Sequence, residues 1–139
     1  MKKLIKNLTA LALVAIIFTA FSAMNMPQQE KPKPWPVPAE YKKMENPVKG
    51  DADAVKMGGM LYKRHCASCH GREGLGDGPK ARGLKTFSGD FSGDFYQNQT
   101  DGEHFYKTLK GRDEMPGYEN KVPEEDIWAM VSYMRTFKK

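Results

Sequence analysis

Cys66-Ala-Ser-Cys69-His70 constrains this chain more than any other stretch, because it sets two thiols three positions apart with an imidazole directly after the second. Three chemistries use such a spacing. A thioredoxin-like redox pair belongs in a βαβ frame, and no strand alternation is visible around the motif. A zinc site needs two more ligands, and His65 and His104 are the only histidines left to join Cys66, Cys69 or His70. Haem attachment needs only what is present: each thiol adds to one of two adjacent vinyl groups, while the histidine reaches the iron from the same side. The motif therefore points to one haem c per chain, bonded through Cys66 and Cys69 with His70 as an axial iron ligand, against the thiol-redox and zinc readings.

The N-terminal layout suits that chemistry. Met1 to Lys6 carries three lysines, Leu8 to Ala23 is apolar apart from Thr9, Thr19 and Ser22, and a polar, proline-rich stretch follows. This order is that of an export signal, with cleavage expected near Ser22 or Ala23. The apolar run is shorter than the roughly 20 residues that span a bilayer, which favours cleavage over an uncleaved anchor. A lipoprotein is excluded, since the only cysteines are Cys66 and Cys69. The formal charge of +5 is inflated by the same segment: removing Lys2, Lys3 and Lys6 from the 22 basic residues leaves 19 against 17 acidic ones. No nucleic-acid partner follows from so small a balance.

The expected organisation is residues 1–23 as signal peptide or anchor, 24–49 as a proline-rich linker and 50–139 as one small domain. Prolines at 27, 32, 34, 36, 38 and 47 lack backbone donors and favour extended geometry, so the linker reads as a semi-rigid tether, with Trp35 as a partly covered aromatic within it, against the alternative that it folds back onto the domain or marks a docking contact. Within the domain, Asp51 or Asp53 can cap a helix running to about His65, with Val55, Gly58, Leu61 and Tyr62 at helical spacing. A glycine-rich loop at 71–79 follows. Thr100 and Glu103 form a capping-box pattern for a helix over 101–110 that Gly111 stops. A last helix starts at Pro123, with Glu124, Glu125 and Asp126 in its first turn and Ile127, Met130, Val131 and Met134 buried. The tandem Phe-Ser-Gly-Asp at 87–90 and 91–94 reads as two turns held by buried phenylalanines.

A second axial ligand should come from the loop after the 101–110 helix. Met115 sits there, followed by Pro116, which restricts the backbone just past the sulfur. A thioether opposite histidine favours ferrous iron and raises the potential. Met57 and Met60 lie on the helix before the cysteines, and Met130 and Met134 have core spacing. Leu75, Leu84, Phe87 and Phe91 are candidate walls of the haem crevice or equally ordinary core, and Arg112 reads as a solvated arginine before a candidate propionate contact. His104 reads as a surface residue. Lys63, Arg64, Arg72, Lys80, Arg82 and Lys85 cluster in sequence around the motif, as a basic rim or a solvated surface.

From about Gly50 to Phe137 the chain resembles a class I cytochrome c of the bacterial monohaem type, on Gly58-x-x-x-Tyr62 before Cys66, Met115-Pro116 in the ligand loop and Met130-x-x-Tyr133 in the last helix. The resemblance implies an all-α fold of three to four short helices wrapped around one covalently bound haem. It also implies that Gly58 lets the first and last helices cross closely, and that the Pro79 carbonyl accepts a hydrogen bond from His70. With about ninety residues in the domain, the porphyrin itself completes the core. The expected activity is outer-sphere electron transfer through a haem iron ligated by His70 and Met115, with no catalysis on a substrate. Partners are then redox proteins as donors and acceptors, outside the cytoplasm or in the periplasm, and the chain is a monomer unless held in a complex. The competing readings are an electron-entry subunit of a membrane oxidoreductase complex, a haem peroxidase, and a gas or redox sensor with an open iron site.

Overall fold

The three long helices of this chain start where a side-chain oxygen or a proline meets the first unpaired backbone donors. The computed structural model describes residues 34–139; the expected export signal at 1–23 and the expected linker up to residue 33 lie outside the described residues. Asp51 accepts hydrogen bonds from the amides of Asp53 (2.8 Å) and Ala54 (3.1 Å) and opens helix α2, Ala52–His65. Thr100 and Glu103 close a reciprocal capping box at the head of α5, Asp101–Lys110. Helix α6, Glu124–Arg135, follows Pro123 and has three acids in its first turn, against the positive end of the helix. Shorter elements fill the intervals: α1 (Ala39–Lys42), α3 (Ala67–His70), a 3-10 turn (Ala81–Gly83) and α4 (Asp94–Gln97). The described residues are thus all-α, with six helices, where three to four were expected. The added ones are single turns, too short to leave a period in the sequence.

The frame of the domain is the crossing of α2 and α6. A β-carbon built on Gly58 would meet the Ala129 carbonyl oxygen at 2.0 Å, so the two backbones touch at a place where only glycine fits. Around that contact lie Tyr62, Ile127, Met130 and Val131, all without solvent exposure. Helix α5 packs on α6 through Phe105, stacked on Trp128 with ring centroids 4.1 Å apart.

The expected tether ending at residue 49 is corrected by the structure. Val37 and Asn46 are buried, the Tyr41 ring packs on Tyr106 at 4.7 Å, and Asn46 Nδ2 donates to Ser132 Oγ at 2.9 Å. Residues 37–49 therefore belong to the domain. Proline density favours an extended backbone, yet Trp35 is half-buried and Val37 buried against the domain while Pro34 and Pro36 stay exposed. Among the described residues, no helix is long and apolar enough to cross a membrane.

Candidate functional site

The site is built where α2 ends. Cys66 is the hinge: its amide still donates to the Tyr62 carbonyl (2.8 Å), and its own carbonyl accepts from the amides of Cys69 (3.1 Å) and His70 (3.0 Å). That single turn of α3 brings both thiols and the imidazole onto one cavity wall. Gly71 then leaves in a left-handed conformation (φ 81°), and its carbonyl accepts a buried hydrogen bond from the Tyr62 hydroxyl at 2.8 Å. Burial pushes the Cys66 thiol up to about 12, with Cys69 adding to the shift. Burial also pushes His70 down to about 4, partly offset by the nearby Ser88 backbone.

The cavity has a volume of about 990 Å3 and is lined by Cys66, Cys69, His70 and Met115 together with Leu84, Phe87, Phe91, Tyr96 and Met134. That size is at the upper end of the roughly 300–1,000 Å3 of cofactor sites. Two of its polar atoms, His70 Nδ1 and Ser88 Oγ, are buried without a hydrogen-bond partner. An orphaned imidazole nitrogen, two thiols and a thioether around an apolar hollow fit a haem held by its periphery and its iron.

Met115 arrives by a pinched loop. Gly111 (φ 67°) and Gly117 touch at its neck, where a β-carbon on Gly111 would lie 2.3 Å from the Gly117 nitrogen. Inside the neck, Arg112 and Met115 pair through both backbone hydrogen bonds, each 2.9 Å, around a tight turn with Asp113 at φ 51°. Glu114 Oε2 accepts from the amides of Lys85 (2.8 Å) and Thr86 (3.2 Å), which ties the loop to the opposite wall. Tyr118, just past the neck, donates its hydroxyl to the His65 carbonyl at 2.8 Å. Neither clamp left a sequence signal, since both join residues far apart along the chain.

Several expectations change. Among the described residues no hydrogen bond joins His70 to Pro79. The turn carrying Pro79 folds onto the backbone of α3, with Gly78 N bonded to Cys69 O (3.2 Å) and Lys80 N to Ser68 O (2.8 Å). This turns Pro79 into a separate depression, together with Leu75, so Leu75 is not a wall of the large cavity. His104 is not a surface residue: it is 2% exposed, its ring stacks on Tyr96 at 3.7 Å and its Nε2 lies 3.0 Å from the Tyr96 carbonyl. Arg112 lines the cavity, and its guanidinium also contacts Pro34, Trp35 and Asp113. Of the tandem Phe-Ser-Gly-Asp units, only Phe91 is buried, and the second unit leads into α4. The six basic residues around the motif are all exposed.

The competing readings of the motif meet the same geometry. Among the described residues no group of three or more His, Cys, Asp or Glu side chains comes together as a metal cage, and no strand flanks the cysteines. Residues 53–134, more than half of the chain, match the family described as cytochrome c oxidase, cbb3-type, subunit III. Among solved structures, the c-type cytochrome KustC0563 is similar at 30% identity and a TM-score of 0.52, over 59% of this chain and 98% of that one. Comparison with curated proteins gives no match. The chain belongs to the cbb3-type cytochrome c oxidase subunit III family and is a monohaem class I c-type cytochrome, which carries covalently bound haem c with its iron and transfers electrons through it.

Proposed function

We propose that the domain is a single-electron carrier in which Cys66 and Cys69 hold the haem by thioethers and His70 and Met115 ligate the iron. The observation that supports this is the convergence of these four side chains on one apolar-walled cavity. The haem, when bound, supplies reversible one-electron iron chemistry. His70 is oriented by stacking on Phe91, with centroids 4.5 Å apart. Met115 offers a soft neutral sulfur that favours the ferrous state, and Leu84, Phe87 and Phe91 keep water from the iron. With both axial positions filled, the chain sets potential and access and breaks no bond in a substrate.

The working place we propose is the periplasm or the outer face of the cytoplasmic membrane, in a respiratory or related redox chain. C-type cytochromes of this kind are extracytoplasmic, and residues 1–23 have the order of an export signal. The family description favours a fixed place in a membrane oxidoreductase complex as the second reading.

Mass and visible spectrum of the mature protein test the proposal. The expected result is one haem that survives acid and organic extraction, a low-spin ferric state with a sulfur-to-iron charge-transfer band, and poor carbon monoxide binding by the reduced form. Met115→Ala should abolish the band, lower the potential and open the iron to carbon monoxide. Ready carbon monoxide binding by the unmodified folded protein would favour an enzyme or sensor instead.

A further inference from the structure

Arg112 joins two parts of the molecule that the carrier reading leaves separate. Its main chain is paired with Met115 in both directions, at 2.9 Å each. Its side chain reaches the segment ahead of the domain: the guanidinium sits 4.4 Å from the centre of the Trp35 ring, and Nη1 donates to the Pro34 carbonyl at 2.9 Å. On α5, Lys107 Nζ lies 5.9 Å from the centre of the same ring. Trp35, Arg112 and Met115 all line the one cavity.

The Trp35 backbone is prepared for this contact. Pro34 fixes its own φ, and Pro36 biases Trp35 away from helical geometry, so little chain entropy is lost in presenting the ring. Val37, two residues on and facing the same way, is buried and holds the segment down. The turn it meets has the opposite character. Asp113 at its start is left-handed (φ 51°), a conformation disfavoured for an L-residue, and such a turn persists only where its surroundings hold it.

We infer that Trp35 and Arg112 are positioning residues for the Met115 loop: the Trp35 ring, seated against the Arg112 guanidinium, restrains the turn that presents Met115 to the iron. For Met115 to swing out, Arg112 must either give up its backbone pair with Met115 or leave Trp35 and Pro34. The inference rests on Met115 being the sixth ligand.

Imidazole, which competes for the sixth position of the ferric holoprotein, reads this restraint directly. Trp35→Leu keeps an apolar side chain but removes the π-face, and should bind imidazole roughly three- to tenfold more tightly than the unmodified protein. Trp35→Phe, which keeps a ring, should stay close to it. Amide hydrogen exchange at Arg112 and Met115 should accelerate in the Leu variant alone. Arg112→Lys, which keeps the charge and loses the guanidinium, should behave like the Leu variant and serves if that one fails to hold haem. A Trp35→Leu protein that melts earlier but keeps normal imidazole affinity and normal exchange at both amides would overturn the inference. Retention of the charge-transfer band in Met115→Ala would instead overturn the ligand assignment beneath it, leaving the exchange data to report on the clamp.

Discussion

Gly58 and Ala129 hold the two longest helices in backbone contact, closer than any side chain would allow: a β-carbon on Gly58 would lie 2.0 Å from the Ala129 carbonyl oxygen and 3.0 Å from the Met130 nitrogen. The obstacle is main chain, so no rotamer relieves it. Gly58→Ala should force α2 and α6 apart and cost about 3 kcal/mol or more, read as a lower urea midpoint of the holoprotein. An unchanged midpoint would mean the helices do not meet there.

Methionines separate by burial. Met60 is 53% exposed on α2, so Met60→Ala should change stability by about 0.5 kcal/mol or less, where full burial would have made it costly. Met134 is buried and accepts a contact from the Tyr96 hydroxyl at 3.3 Å, so Met134→Ala should cost roughly 2–5 kcal/mol. Thermal unfolding of the two variants side by side checks the difference, and both should keep the charge-transfer band.

His104 should make the fold sensitive to acid. Burial, helped by the nearby Arg135 and Lys107 charges, pushes its imidazole down to about 3 from the ordinary 6.5. Between those values the unfolded chain binds the proton and the folded chain does not. Stability is therefore unaffected by this group above 6.5 and falls as the pH drops toward 3, at up to ~1.4 kcal/mol per pH unit. Urea midpoints measured from neutral pH down to about pH 4 should fall less steeply in His104→Gln, which cannot ionise. Parallel slopes would show that His104 protonates without unfolding.

Asn46 tests where the domain begins. Its amide nitrogen donates to Ser132 Oγ (2.9 Å), and its amide oxygen accepts from the Val48 amide (3.0 Å). Asn46→Ala leaves the buried Ser132 hydroxyl and the half-buried Val48 amide each short of a bond and should cost about 1–3 kcal/mol. Removing residues up to 49 should cost more, because Val37 and Tyr41 leave with them and uncover Phe105 and Tyr106. Denaturant curves of the shortened holoprotein that match the full chain would restore the tether reading.

The sequence by itself determined the chemistry and the three main helices. Cys66, Cys69 and His70 are close along the chain, so their spacing already states their geometry. Asp51, the Thr100–Glu103 pair and Pro123 act on backbone groups within the next turn, which makes the starts of α2, α5 and α6 local properties. Tertiary structure decided everything that depends on which surfaces meet. His104 reads as a surface residue in sequence because nothing nearby announces Tyr96 stacked over it, and the bonds that seat the Pro79 turn on the backbone of α3 are equally unannounced. Trp35 and Val37 were hidden among prolines, whose effect on the backbone is local, while the burial that makes 37–49 part of the domain comes from α5 and α6. The grip on Met115 came from Glu114 reaching Lys85 and Thr86, and from Arg112 reaching Pro34. Contacts of that sequence separation carry no period or spacing; they exist only once the chain has closed around its cavity.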